Sequence, residues 1–459
     1  MDFSKKHILV LGLGLHGGAI GTIEWFAKEG ANIMVSDNKA KEQLASSIEK
    51  LNGIPNLTFH FGNQDEIDLD GIDMVVRNPA IPRRAPILER ARTLGIPVEM
   101  DSSLFFEYCP SKDVICITGS KGKTTTSATI AHVVGELNRK TVAVGIDGVS
   151  PLGMLGEITP LSPVIFEISS WRLEALQDKH VSPHIAVATS IYKDHLNTYT
   201  SFEEYIDVKK QIIKDQTSDD IAILNGDDEK IRGWEQDVKG QLYWYSLNPL
   251  SEGEQGIWVD NGHIHTTVGE FTCTTSSVPH TSLHELRNKL PAILITLLRE
   301  YSKEDILAAL QSMPPLAHRL QTVREVRGVK YINDSAATMP DAAIAALETY
   351  ADIPLILILG GSDKALEFQD LAQKISQSKN IKHLIWLPGT ATERMKQEIL
   401  PHTSTPSNNA ATMDDAVMQA YQHATPGDTV LLSPGATSFG LFLHEFDRGN
   451  AFIRTVEKL

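Results

Sequence analysis

Apolar and polar positions along the chain repeat in one pattern: a short β-branched run, a glycine-containing turn, then an amphipathic stretch. An apolar run of four to six residues bounded by turn residues reads as a buried strand. The helical period after it reads as a crossover, so the pattern is that of βα units and parallel sheets. It is written three times. Residues 1–107 predict strands at His7–Leu13, Asn32–Asp37, Leu57–Phe61 and Met74–Arg77, with Asn78–Pro86 and its three prolines as a loop. Residues 108–314 predict strands at Val114–Thr118, Thr141–Gly145, Val164–Ile168, His184–Thr189 and Ile221–Asn225, and a helix at His284–Glu300. In this block Ile257–Asp260 and His263–Thr266 flank Asn261-Gly262, a pair that suits the positive φ of a type I′ hairpin turn. Residues 315–459 predict strands at Val329–Asn333, Leu355–Leu359, His383–Leu387 and Thr429–Ser433, and the double proline Pro314-Pro315 marks the preceding boundary.

The chain has 459 residues, more than one hydrophobic core covers, which agrees with three blocks. Its formal charge of −16 argues against non-specific nucleic-acid binding, which neutralises phosphates with Lys and Arg. Local basic sites for a phosphorylated small molecule remain compatible with that balance. Cys109, Cys116 and Cys273 form no CxxC pair, so a reducing, cytoplasmic setting is expected. No run approaches the roughly 20 apolar residues that span a bilayer, so no membrane partner is expected.

The sharpest chemical signal is Thr118-Gly119-Ser120-Lys121-Gly122-Lys123-Thr124-Thr125, between the strand Val114–Thr118 and a helix predicted over Thr125–Leu137. A glycine turn at that junction lets backbone N–H groups close around phosphate oxygens at the positive end of the helix. Lys123 would reach the β- and γ-phosphates and the Thr124 hydroxyl a magnesium ion. The loop is two residues shorter than the common GxxxxGK[ST] form, and a chance surface turn is the plain alternative. A second signal is Gly12-Leu13-Gly14-Leu15-His16-Gly17, a full GxGxxG, with Asp37 at the end of the next strand where a ribose-binding acid would sit. By itself it fits NAD or FAD, another nucleotide diphosphate, or a purely structural turn. Three more polar segments fall at carboxyl ends of predicted strands: Glu167 with Ser169-Ser170-Trp171, Asp194-His195, and Asn225-Gly226-Asp227-Asp228. A carboxylate and an imidazole facing a phosphate loop are candidate magnesium ligands, although each alone reads as polar surface.

Taken together, these residues resemble the Mur ligase family of peptidoglycan synthesis. The resemblance rests on Thr118–Thr125, Phe166–Ser170, Asp194-His195-Leu196, His318-Arg319, Ile332–Ser335, Gly360–Lys364 and Leu432–Gly435, in order over almost the whole chain. The glycine-rich start and Ser438…Phe446-Asp447-Arg448-Gly449 resemble most the branch adding glutamate to UDP-N-acetylmuramoyl-L-alanine. The resemblance implies an α/β protein of three domains, each a mainly parallel sheet with flanking helices. They would be Rossmann-like for the UDP-linked muramoyl precursor (1–107), P-loop ATPase-like for ATP (108–314) and Rossmann-like for the amino acid (315–459). It implies a monomer that uses ATP and Mg2+, with two ions. ATP would phosphorylate the precursor carboxylate, and the amino group of D-glutamate would attack the acyl phosphate.

The resemblance also assigns roles residue by residue. Gly119, Ser120, Lys121, Gly122, Lys123, Thr124 and Thr125 would cradle the nucleotide, with Asn288 at the adenine and Arg319 and Asp334 reaching ATP. Thr124, Glu167, His195 and Lys209 would hold magnesium, Lys209 as a carbamate, against the plain reading of Lys209 as an exposed helix lysine. Lys123, Glu167, His195 and Lys209 would form the catalytic set. Gly14, Leu15, His16, Asp37, Asn38 and Ser169 would face the precursor, and Lys364 and Ser438 the amino-acid carboxylates. The chain departs from the family pattern at Lys121, Gly145–Gly148, Arg172, Glu285 and above all Ala336, where a lysine is expected. Alanine cannot pair with a carboxylate, so L-glutamate or another amino acid stays open, as does a pocket rebuilt around Arg172 or another cation. A non-catalytic descendant and a nicotinamide-dependent oxidoreductase are the remaining alternatives.

Overall fold

A computed structural model describes residues 3–14, 18–192, 198–280, 282–364 and 366–459. Every strand expected from the sequence is present, several trimmed by one or two residues at their ends. The chain divides into two compact units, Met1–Met313 and Pro314–Leu459.

The first unit holds two sheets. Strands β1 (His7–Leu11), β2 (Asn32–Asp37), β3 (Leu57–Phe61), β4 (Met74–Arg77) and β5 (Val98–Glu99) form an all-parallel sheet in the order β3-β2-β1-β4-β5. The second sheet contains β6 (Val114–Thr118), β7 (Val142–Val144), β8 (Val164–Glu167), β9 (Ile185–Ala188), β10 (Ile221–Asn225), β11 (Gln241–Ser246), β12 (Gly256–Asp260), β13 (His263–Thr266) and β14 (Thr272–Thr274). Its order is β14-β13-β12-β11-β10-β9-β6-β8-β7, parallel up to β12 and antiparallel through β13 and β14. The hairpin turn is as expected: Asn261 and Gly262 have φ of 46° and 74°, and Asp260 pairs with His263. Strands β5, β11 and β14 escaped the pattern; β5 and β14 are short edge strands of two and three residues, whereas β11 carries the aromatic run 242–245, which went unread.

Helix Ser170–Gln177 and the two residues after it meet the first sheet's side of this unit through charge. Arg77 donates to Glu174 at 2.7 Å with both side chains buried, Arg83 to Asp178 at 2.6 Å, and Lys179 lies 2.6 Å from Glu99. Arg172 forks onto Asp101 at 2.6–3.1 Å. A buried ion pair adds less by its attraction than by the penalty for breaking it, so this seam specifies one docking of the helix.

The second unit is a sheet of β15 (Gln321–Val326), β16 (Val329–Asn333), β17 (Leu355–Leu359), β18 (Ile381–Trp386), β19 (Ser407–Asn409) and β20 (Thr429–Leu432). The order is β15-β16-β20-β17-β18-β19, with only the edge strand β15 antiparallel. The missed strands β15 and β19 are the two edges of this sheet, and all three residues of β19 are exposed. Buried cores lie on both faces of the sheet, one under helices Pro340–Thr349 and Gln369–Gln377, the other under Met413–His423 and Glu445–Glu457. Carboxyl ends of parallel strands, where an open α/β sheet binds ligands, therefore carry the loops after β16, β17 and β20.

Candidate nucleotide and substrate sites

The loop after β6 turns at Gly119 and Gly122 and feeds helix Lys123–Leu137, which begins two residues earlier than its sequence pattern. Gly122 sits at φ 84°, and a Cβ there would lie 2.6 Å from Asn288 Oδ1. That contact brings Asn288 onto the phosphate loop. Hydroxyls that the sequence reading passed over lace the loop from β9: Ser190 Oγ accepts from Lys121 N–H at 3.0 Å, and Ser120 N–H donates to Ser190 O at 2.6 Å. Ser120 Oγ lies 3.0 Å from Tyr205 Oη and accepts from Tyr192 N–H at 3.0 Å. A Cβ at Gly119 would overlap Thr189 Oγ1 and come within 2.9 Å of Ser190 N, at φ 148°. Gly119→Ala is expected to push the loop off these partners and weaken ATP binding by about tenfold or more, measured by nucleotide titration. Unchanged affinity would show that the loop absorbs a side chain there.

Lys123 Nζ donates to Gly119 O at 2.9 Å and Ser120 O at 3.3 Å, holding a cation inside the curve of the loop. Glu167, at the end of β8, accepts from Thr124 Oγ1 at 3.2 Å and Ser127 Oγ at 3.0 Å. A hydroxyl and a carboxylate oxygen converging at a phosphate loop are the hard donors magnesium takes, with phosphate and water completing its shell, so the residues present fit that ion. Thr125 opens the same helix, half-buried. Lys209 overturns its plain reading: it is 2% exposed, its Nζ donates to Gly119 O at 2.9 Å, and it lies 4.8 Å from the centre of the Tyr205 ring. Its neighbour Lys210 pairs with Asp237 at 2.9 Å.

Asp227 and Asp228 are otherwise engaged. Asp227 ties the loop after β10 to the end of β11 by accepting from Ser246 Oγ and Leu247 N–H, and Asp228 caps helix Glu229–Arg232 and accepts from Ile191 N–H. Arg172, considered for a rebuilt glutamate pocket, is committed to Asp101, because its fork already satisfies that carboxylate. Glu285 forms a 2.7 Å pair with the buried Lys289. His195, Asp194, Leu196, Leu15 and His16 lie outside the described residues, as does the Asp147 side chain.

At the amino-terminal glycine turn, a Cβ on Gly12 (φ 88°) would meet Asn78 Cβ at 2.9 Å, so the turn packs tightly against the loop after β4. Asp37 accepts from Gly14 N–H at 3.1 Å and Lys39 N–H at 2.9 Å. Its carboxylate therefore shapes the turn, while Asn38 stays exposed. Ser169 caps helix Ser170–Gln177 by accepting from Arg172 N–H.

In the second unit Asp334 is buried, accepting from Leu320 N–H at 3.2 Å and Ser433 Oγ at 2.8 Å. Burial pushes its carboxyl up to about 7, against the pull of Ser433, the Leu320 N–H and the charges of Arg319 and Arg448. Arg319 is half-buried beside His318, whose carbonyl accepts from Ala336 N–H at 3.0 Å. Lys364 is exposed in the loop after β17. Ser438 is 3% exposed, and its Oγ finds no hydrogen-bond partner among the described residues.

Comparison with known proteins follows the same geography. Residues 6–99 match the Mur ligase MurD-like N-terminal domain, 117–296 the Mur ligase middle domain, and 318–435 the Mur ligase glutamate ligase domain. The chain is 37% identical to the UDP-N-acetylmuramoylalanine–D-glutamate ligase of Roseiflexus sp. (strain RS-1), covering 100% of this chain and 99% of the relative. It is 33% identical to the enzyme of that name from Trichlorobacter lovleyi, over 100% of both chains. Among solved structures, the UDP-N-acetylmuramate-alanine ligase MurC of Thermotoga maritima shares the fold with a TM-score of 0.64, at 18% identity over 98% of each chain.

Proposed function

The chain belongs to the Mur ligase family, and from that premise we propose that it joins D-glutamate to UDP-N-acetylmuramoyl-L-alanine by way of an acyl phosphate. As a Mur ligase it is an ATP-dependent, ADP-forming amide ligase that uses magnesium, which sets aside the oxidoreductase alternative. The observation that carries the reading is the convergence of Lys123, Thr124, Glu167 and the buried Lys209 on one phosphate loop. The domain roles keep the bounds 1–107 for the precursor, 108–314 for ATP and 315–459 for the amino acid.

The chemistry is positioning and charge neutralisation. Loop N–H groups and Lys123 hold the γ-phosphoryl group while the precursor carboxylate attacks it, expelling ADP. Thr124 and Glu167 would hold magnesium, which offsets the charge of two anions brought together. Lys209 and His195 belong to the same reading, Lys209 as a carbamate supporting a second ion. Asn288 contacts adenine, Arg319 and Asp334 serve ATP, and Gly14, Leu15, His16, Asp37, Asn38 and Ser169 line the precursor's path. Lys364 and Ser438 hold the carboxylates of glutamate, whose amino group then attacks the acyl phosphate and releases phosphate.

The test is phosphate release from ATP with UDP-N-acetylmuramoyl-L-alanine and magnesium, offering D-glutamate, L-glutamate and other amino acids in parallel. Release that requires D-glutamate is expected. Release with no amino acid in the panel would sink the ligase reading for this precursor. Ala336 favours one second reading, a preference for L-glutamate, since the position offers no cation to a carboxylate. Ala336→Lys is expected to shift glutamate saturation or the D/L ratio by about tenfold. No change in either would remove position 336 from the pocket.

A further inference from the structure

Arg448, on helix Glu445–Glu457, is 1% exposed, and no carboxylate lies within ion-pair distance of it among the described residues. Its donors go instead to two loops at the carboxyl edge of the sheet. Nε donates to Ser335 Oγ at 3.0 Å, Nη2 to Ser335 O at 2.8 Å and Nη1 to Ala436 O at 3.0 Å. Ser335 Oγ passes the connection on to Glu445 O at 2.7 Å, back on the helix that carries the arginine. The loop after β17 is shaped to the same group. A Cβ at Gly361 would lie 3.2 Å from Arg448 Nη1, and Ser362 and Thr437 exchange two hydrogen bonds of 2.7 Å. The loops after the three adjacent strands β16, β20 and β17 thus meet around one guanidinium. Ala336 follows Ser335, Ser438 lies two residues beyond Ala436, and Lys364 lies two beyond Ser362.

Burying a guanidinium without a directly paired acid is costly, and this one is offset by its carbonyl and hydroxyl acceptors and, at longer range, by Glu445 and Asp334. Burial draws it down to about 10, so it remains charged at neutral pH. A planar fork with fixed donor directions holds two loops at set spacing, which an ammonium group does not. The charge also lies beneath the loops, where Ala336 contributes none.

We propose that Arg448 is a positioning residue for the incoming amino acid. Its guanidinium sets the spacing of the loops carrying Ala336, Lys364 and Ser438 and places positive charge beneath an anionic acceptor. The proposal rests on the reading that this unit binds glutamate.

Full-length Arg448→Met and Arg448→Lys would be compared with the unaltered chain by phosphate release, varying glutamate, ATP and UDP-N-acetylmuramoyl-L-alanine in turn, with thermal melts alongside. KM for glutamate is expected to rise about tenfold or more in the methionine variant and less in the lysine variant, which keeps the charge but loses the fork. KM for ATP and for the precursor is expected to stay within about twofold. Should the methionine variant fail to fold, Ser335→Ala removes only the hydroxyl that accepts from Nε. It is then expected to give a smaller shift in the glutamate KM alone. A folded variant with an unchanged glutamate KM, or equal changes in all three KM values, would overturn the proposal. Absence of phosphate release in the unaltered chain would instead overturn the ligase reading, before any variant is compared.

Discussion

Lys123→Ala is expected to lower ATP-dependent phosphate release by about a thousandfold while leaving the melting curve nearly unchanged. Both halves follow from where the side chain sits. Lys123 is half-buried, and its Nζ donates to two carbonyls of its own loop, Gly119 and Ser120. Those carbonyls can turn to water when the amine is removed, so little folding energy is at stake. The chemical step is different. Charge builds on the transferring phosphoryl group inside a desolvated loop, where a preplaced cation is worth far more than in water. Stopped assays at saturating ATP, with nucleotide affinity measured separately, check this. A loss of less than about tenfold would mean that another group supplies the charge.

Asp334→Asn is expected to be both less active and more stable, with a gain that depends on pH. Burial raises the Asp334 carboxyl to about 7, whereas in the unfolded chain it titrates near 3.8. The folded state therefore keeps a proton that the unfolded state releases between those values. The stability linked to that proton is complete below about 3.8 and is lost as pH rises toward 7. At pH 8 the folded unit holds a buried carboxylate whose desolvation outweighs its hydrogen bonds and the charges of Arg319 and Arg448. Asparagine stays neutral and can still accept from Leu320 N–H, so the variant should gain on the order of 2 kcal/mol there, under a ceiling of about 4 kcal/mol. Near pH 4 the two proteins should melt alike. Denaturant melts of the full chain, followed through the transition of the second unit, test the sign. An advantage independent of pH would mean that something other than titration of this carboxyl destabilises the parent. Lost activity beside gained stability is the pattern of a residue kept for function.

Much of this was legible along the chain, and the reasons differ by feature. Central strands such as Val114–Thr118, Ile221–Asn225 and Leu355–Leu359 announce themselves because both faces are buried and every position must be apolar or small. The hairpin at Asn261-Gly262 is legible because only a few residue types accept two successive positive φ values. The phosphate loop is legible because its glycines, lysine and threonine act through their neighbours in sequence. Edge strands β15 and β19 were not, since their pairing comes from β16 and β18.

The amino-acid sequence by itself determined the three α/β blocks, the place of the nucleotide loop and the departures at Arg172, Glu285 and Ala336. Each is a property of a residue type and its neighbours within one or two turns of chain. Only the tertiary structure decided what distant residues do. It turned Lys209 from a surface lysine into a buried one bonded to Gly119, 90 residues earlier in the chain. It committed Arg172 to Asp101, tied Asp227 to Leu247 and Asp228 to Ile191, and set Arg448 under the loops of Ser335 and Ala436. The physical reason is common to all of them. A charged side chain takes its role from its desolvation and its partners, and both are set by packing between segments far apart in the chain.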